Sequence, residues 1–242
     1  MSKNNLYDVI IIGAGPSGIF CAYELIRQKP ELKILMVEKG RPIEKRVCPK
    51  RTTRVCVGCR PCSITTGFAG AGAFSDGKLS LSPDVGGNLP DILGYDKALE
   101  LIHESDDIYL KFGADTKVYG VDKQKEIQEI RRRAIMANLK LIECPIRHLG
   151  TEEGYKIYTR LQEHLLSSGV RIEFNTMVQD ILIEDGCARG ILTDKGETYY
   201  AREIVSAIGR EGSDWFSHVC RDHGIETKVG TEIGRASCRE RV

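Results

Sequence analysis

No stretch of this 242-residue chain approaches the roughly 20 consecutive apolar residues that a membrane-spanning helix requires. The apolar run "VIIIGAG" near the start is short and broken by glycine. Asp8 stands where a secretory flank is positive, and no small-residue cleavage site follows. A cytoplasmic location is therefore the expectation, with thiols kept reduced, and the nine cysteines do not read as a disulfide framework. A surplus of charge is also missing. Lys and Arg number 35 against 34 Asp and Glu, so neither nucleic acid nor an acidic membrane surface is an expected partner, and small molecules are. Histidine is scarce, with five in all. His103, His164, His218 and His223 fall in helical patterns with no cysteine or carboxylate set around them and read as surface or helix-end residues rather than metal ligands.

What is present begins with "YDVIII", a short β-rich run, followed at once by "GAGPSG" and then by "IFCAYELIRQ", whose apolar residues can bury one helix face. "KILMVEKG" supplies a second buried strand ending in Glu38. This is a βαβ unit in which Gly13 permits the tight turn, Gly15 lets a pyrophosphate approach the backbone and Gly18 permits close packing of helix on strand. The helix N-terminus offers unpaired N–H groups and the positive dipole end to a diphosphate. Glu38, 25 positions after Gly13, is placed to accept a hydrogen bond from a ribose hydroxyl. An acid there favours a ribose with a free 2′-OH, as in FAD or NAD, over NADP.

A second glycine-rich run, "GFAGAGAFSDGKLSLSP" (67–83), lets backbone lie against a flat or phosphate-bearing ligand, and its Phe68, Phe74 and Leu79 would be odd in a solvated linker. Residues 96–139 hold two helical patterns. "LKLIEC" (139–144) reads as a strand, "PIRHLGTEEG" as a loop, and "YKIYTRLQEHLLSSG" as an amphipathic helix stopped by Gly169. "VRIEF" and a β-rich stretch follow, with turns at Asp185–Gly186 and Lys195–Gly196, closing on the strand "EIVSAIG".

Between the two glycine-rich segments lies "RVCPKRTTRVCVGCRPC" (46–62), with Cys48, Cys56, Cys59 and Cys62 spaced C-x7-C-x2-C-x2-C. Two overlapping CxxC steps suit three thiolates on one centre, with Cys48 as a fourth ligand to zinc or an iron-sulfur cluster. The surrounding Lys and Arg would offset such a cluster's charge; they would equally depress thiol pKa values and favour a thiol-disulfide switch. Reduced bystander cysteines are the third reading. Cys21, Cys144, Cys187 and Cys220 read as small buried hydrophobes.

The opening GAGPSG with Glu38, the "NTMVQDI" element and the late "SAIGREG" together resemble the FAD domain of the glutathione-reductase-like flavoproteins. "CVGCRPCSITTGFAGAGAFSDGKLSLSPDVGG" with "PIRHLGT" is similar to a narrower group, the FAD-dependent dehydrogenases, some of them named NAD-utilizing dehydrogenases. The resemblance covers residues 5–231. It implies an α/β fold, a Rossmann-like FAD-binding domain with a parallel central sheet and a β-rich crossover, made of residues 1–83 and 149–231, with a small helical insertion at 84–148. Gly13, Gly15, Pro16, Ser17 and Gly18 would cradle the pyrophosphate, Glu38 would hold the adenosine ribose, and Val178 would meet the adenine through its backbone. Gly70, Ala71, Gly72, Ser75 and Asp76 would line the ribityl and isoalloxazine side, and Gly209 and Arg210 would close over the diphosphate or ribityl chain.

A flavin supplies the redox chemistry itself, so no nucleophilic set is required. Lys78, Arg147 and His148 are the residues expected near the ring. The implied activity is an FAD-dependent oxidoreductase acting on a small organic substrate, with NAD(P)H, a metal cluster or another electron-transfer partner as second carrier. The alternatives are a flavin-dependent nucleic-acid-modifying enzyme and a non-catalytic metal or thiol redox sensor. The end of the chain, "EIGRASCRERV" (232–242), reads residue for residue as the translation of a sequencing-library adapter and is expected to be a non-native tail. The natural chain is then expected to continue beyond Thr231, leaving the domain incomplete at its C-terminus and the fragment inactive.

Overall fold

The computed structural model describes residues 5–74 and 77–228. Strand β1 (Leu6–Ile12) leads into helix α1 (Pro16–Gln28), which turns Ile19, Ala22, Tyr23 and Ile26 inward at helical spacing. All four residues of β2 (Ile34–Val37) are buried. The cysteine-bearing segment then contributes a single turn, α2 (Lys50–Thr53). Strand β3 (Lys78–Ser80) is followed by α3 (Leu89–Leu93), α4 (Tyr95–Lys111), β4 (Val118–Tyr119), α5 (Gln124–Met136) and β5 (Ile146–His148). Helix α6 (Thr151–Ser167) returns the chain to the main sheet at β6 (Arg171–Glu173). The meander β7 (Val178–Glu184), β8 (Cys187–Thr193) and β9 (Thr198–Ser206) precedes α7 (Ser213–Asp222).

The main sheet runs β6-β2-β1-β9-β8-β7. Its first four strands are parallel, and β8 and β7 join β9 as antiparallel neighbours. Asp185 and Gly186 both adopt positive φ in the β7–β8 turn, the geometry that a two-residue hairpin needs. Alternation along the parallel strands serves two cores. Val9, Ile11, Ile34 and Met36 pack with α1, α4 and α6, while Ile10, Ile12, Leu35 and Val37 pack with the meander and Val219 of α7. Burial on both faces explains why β1 and β2 read as unbroken apolar runs.

The segment expected as a helical insertion also carries strands, since β5 pairs with both β3 and β4 in a small antiparallel sheet. It shares the domain's core through Ile108, Tyr109 and Phe112, although α5 buries no residue. The expected strand at 139–144 is not formed. Leu139 and Ile142 stay exposed without a pairing partner, and the strand falls instead at Ile146–His148, which the reading had as loop. Among the described residues, no helix is long and apolar enough to cross a membrane.

Candidate functional site

The turn from β1 to α1 is built by glycine. Gly13 sits at φ +103°, its N–H donates to the Val37 carbonyl at 2.8 Å, and an added Cβ would lie 2.5 Å from the Ala207 carbonyl oxygen. A methyl at Gly18 would run into the Gly13 carbonyl. Gly15 differs: an added Cβ there meets nothing within 4 Å, because the residue faces open space. It is also the N-cap of α1, with no side-chain hydrogen bond on the first-turn amides. The helix thus presents bare N–H donors and its positive dipole end to that space.

The space is a cavity of about 560 Å³ beyond the carboxyl ends of β1, β2 and β9. Gly13, Gly15, Pro16, Ser17 and Glu38 line one part of it. Gly70, Ala71, Val178, Gly209 and Arg210, drawn from three distant parts of the chain, line the rest. Open α/β sheets bind ligands in this crevice, where the connections leave β1 in opposite directions.

Glu38 is buried and its carboxylate is already engaged. Oε2 accepts the Ala14 N–H at 2.9 Å, and Oε1 accepts the N–H groups of Gly40 at 2.8 Å and Gly67 at 3.0 Å. A carboxylate has about four acceptor positions, so one, on Oε2, is left for a ligand hydroxyl. Glu38 therefore fastens three backbone segments around the cavity besides facing it.

Several lining residues escaped the sequence reading. Thr65 and Thr66 reach the cavity, together with Gly67 at the head of the second glycine-rich run, on a strap that Arg46 holds in place. The buried Arg46 guanidinium donates to the carbonyls of Ser63 at 3.1 Å, Ile64 at 2.8 Å and Phe68 at 2.5 Å. Burial lowers its pKa to about 10, against the opposing pull of Glu38. Lys39 and Glu211 also line the cavity and pair across it at 3.1 Å. Thr176 and Met177 stand beside the expected Val178, and the Trp215 indole donates to the Gln179 carbonyl at the same end.

The residues expected near a flavin ring divide. Gly72 lies outside the cavity lining, and an added Cβ would stand 3.1 Å from the Tyr158 hydroxyl. Ser75 and Asp76 lie outside the described residues. Lys78, Arg147 and His148 belong to the small sheet and do not line the cavity; Lys78 and His148 face each other in its register. Arg147 has a structural task. It is buried, its Nε and Nη2 donate to the Asp106 carboxylate at 2.5 and 2.7 Å, and its Nη1 donates to the Asp115 carbonyl at 2.6 Å.

Cys48 and Cys59 are partly exposed, and Cys56 and Cys62 are exposed. Among the described residues, no three His, Cys, Asp or Glu side chains converge as a metal ion requires, so the expected four-cysteine ligand set is not assembled. Arg46 ties down the base of this segment, leaving its intervening valines, Val47, Val55 and Val57, in solvent. The N–H groups of Ile64 and Thr65 hold the Cys62 thiol below its ordinary pKa, whereas burial raises that of Cys21. Alkylation of the native protein followed by peptide mapping is expected to modify Cys62 well before Cys21, with the gap widest below pH 8. Equal rates would contradict this.

A family model described as the Thi4 family matches residues 1–43, the whole βαβ unit. A Clostridium beijerinckii protein described as uncharacterised is 24% identical over 217 residues, covering 88% of this chain and 33% of the relative. The chain thus spans about a third of the length of that relative. Among solved structures, Thermovibrio ammonificans THI4 matches 93% of this chain and 66% of its own at a TM-score of 0.52 and 13% identity. Glycine oxidase from Bacillus cereus matches 89% and 59% at 0.52 and 17% identity. The fold is Rossmann-like. These identities speak to the fold alone, and the mostly parallel sheet with its helices is the feature shared.

Proposed function

We propose that this chain is the FAD-binding part of an FAD-dependent oxidoreductase that acts on a small organic molecule. The observation that carries the reading is the single cavity in which the bare α1 N-terminus, the open face of Gly15 and one remaining acceptor position of Glu38 meet. The residues fit the group. The N–H groups at the start of α1, with Ser17, would hold the diphosphate, and Glu38 would take one ribose hydroxyl. The backbone at Val178 would border the adenine. Gly70 and Ala71 would flank the ribityl side, and Gly209 with Arg210 would close over the diphosphate. When bound, FAD supplies the two-electron chemistry, and the protein supplies orientation and charge. The Thi4 match over the βαβ unit and the likeness to glycine oxidase support this reading.

Gly15→Ala separates binding from folding. Gly15 has φ −74° and ψ 178°, which alanine adopts without strain, and the added methyl meets no protein atom. Stability is expected to change by less than about 1 kcal/mol, since the stiffer unfolded chain and the poorer N-cap oppose each other, while FAD affinity falls at least about tenfold because the methyl occupies the diphosphate approach. Thermal unfolding and a flavin titration read the two effects; unchanged affinity would contradict the placement.

The activity itself is tested anaerobically on the purified full-length protein, with panels of amines, amino acids, hydroxy acids and NAD(P)H as reductants. Bleaching of the flavin band by one class is the expected result. A bound flavin reduced by none of them would overturn the oxidoreductase reading.

A further inference from the structure

We propose that the Lys39–Glu211 ion pair makes the adenosine end of the cavity reject a 2′-phosphate, with Glu211 as the specificity-determining residue. The inference rests on the cavity being a dinucleotide site.

In Rossmann-like sites an acid at the end of the second strand accepts the ribose 2′-OH, and a basic residue nearby accommodates a 2′-phosphate. This chain has both, side by side, in Glu38 and Lys39. Glu38 cannot exclude a phosphate by itself at full strength. Three backbone N–H groups already spread its charge, at 2.8, 2.9 and 3.0 Å. Lys39 is the next residue and lines the same cavity. Alone, it would place a compact cation where a 2′-phosphate would sit. Its Nζ instead meets Glu211 Oε1 at 3.1 Å, with the two side chains 30% and 50% exposed. Glu211 lies in the turn after β9, on the other side of β1 from β2. The pair therefore crosses the crevice.

Charge decides the outcome. Glu38, Lys39 and Glu211 together carry one net negative charge, with Arg210, which lines the same cavity, assigned to the diphosphate. Glu211→Gln makes the trio neutral and removes the carboxylate partner of Lys39, while Lys39→Met deepens the negative charge. Because the pair is partly solvated, each step is expected to change relative affinity about fivefold, and less at high salt.

The measurement is displacement of FAD from the purified protein by ADP-ribose or by 2′-phospho-ADP-ribose, read as flavin released through an ultrafilter. The wild type is expected to prefer ADP-ribose by about tenfold or more. Glu211→Gln narrows that preference about fivefold, Lys39→Met widens it, and in the Lys39→Met background Glu211→Gln narrows it clearly less, because no cation is left to be released. A preference that neither single substitution moves overturns the inference, as does an equal narrowing by Glu211→Gln with and without Lys39. Failure of ADP-ribose to bind even the flavin-free protein would instead remove the dinucleotide reading on which the inference stands.

Discussion

Asp106→Ala is expected to cost about 3–5 kcal/mol of stability, the largest effect of any single change considered for this protein. Asp106 and Arg147 are buried at 8% and 4% exposure, and the carboxylate takes two of the guanidinium's donors. Truncation leaves a desolvated cation with only the Asp115 and Lys117 carbonyls for partners. An arginine side chain keeps its proton in proteins, so the guanidinium left behind cannot escape the cost by becoming neutral. Replacing both residues with apolar ones of similar size, Asp106→Leu with Arg147→Met, is expected to cost much less than the two single changes added together. Urea unfolding of the four proteins gives the coupling. Additive costs would show that the pair does not hold α4 to the small sheet.

Glu38→Gln is expected to lose about 3 kcal/mol and most of the FAD affinity together. The amide keeps one accepting oxygen and turns an NH2 donor toward N–H groups of Ala14, Gly40 or Gly67, leaving at least one of them unsatisfied in a buried setting. The substitution should shift the urea midpoint with little change in slope, since the folded and unfolded surfaces barely differ. Weaker FAD binding at unchanged stability would mean that Glu38 only faces the ligand. Lost stability at unchanged FAD affinity would mean that it only braces the cavity.

These two carboxylates show where reading the sequence succeeds and where it stops. The β1-turn-α1-β2 unit was legible because its signals are local: apolar strands, a glycine turn and an acid at the end of β2 lie within 38 residues. The geometry of the turn then follows from what each glycine must avoid. Arg147 was misplaced because its partner is 41 residues away and charge alone gives no sign of pairing. Lys39 and Glu211 are 172 residues apart and meet only because β9 inserts next to β1. Arg46 looked like one more cation among the cysteines, yet its three carbonyl acceptors make it the anchor of the strap that carries Thr65, Thr66 and Gly67 to the cavity. The cysteine spacing described ligands and carried no information on whether the loop folds them together. The segment 139–144 had strand composition, but pairing needs a neighbour, and β5 took that place.

The central claim is that the cavity beneath Gly15 is a flavin dinucleotide site. Titration of FAD into purified protein, followed by ultrafiltration and the absorbance of the retained fraction, tests it most directly. One FAD retained per chain by the wild type, with retention shifted to at least about tenfold higher FAD in Gly15→Ala and Glu38→Gln, is the predicted result. A folded wild-type protein that retains no FAD at saturating concentration, or that retains it equally in all three forms, would contradict it.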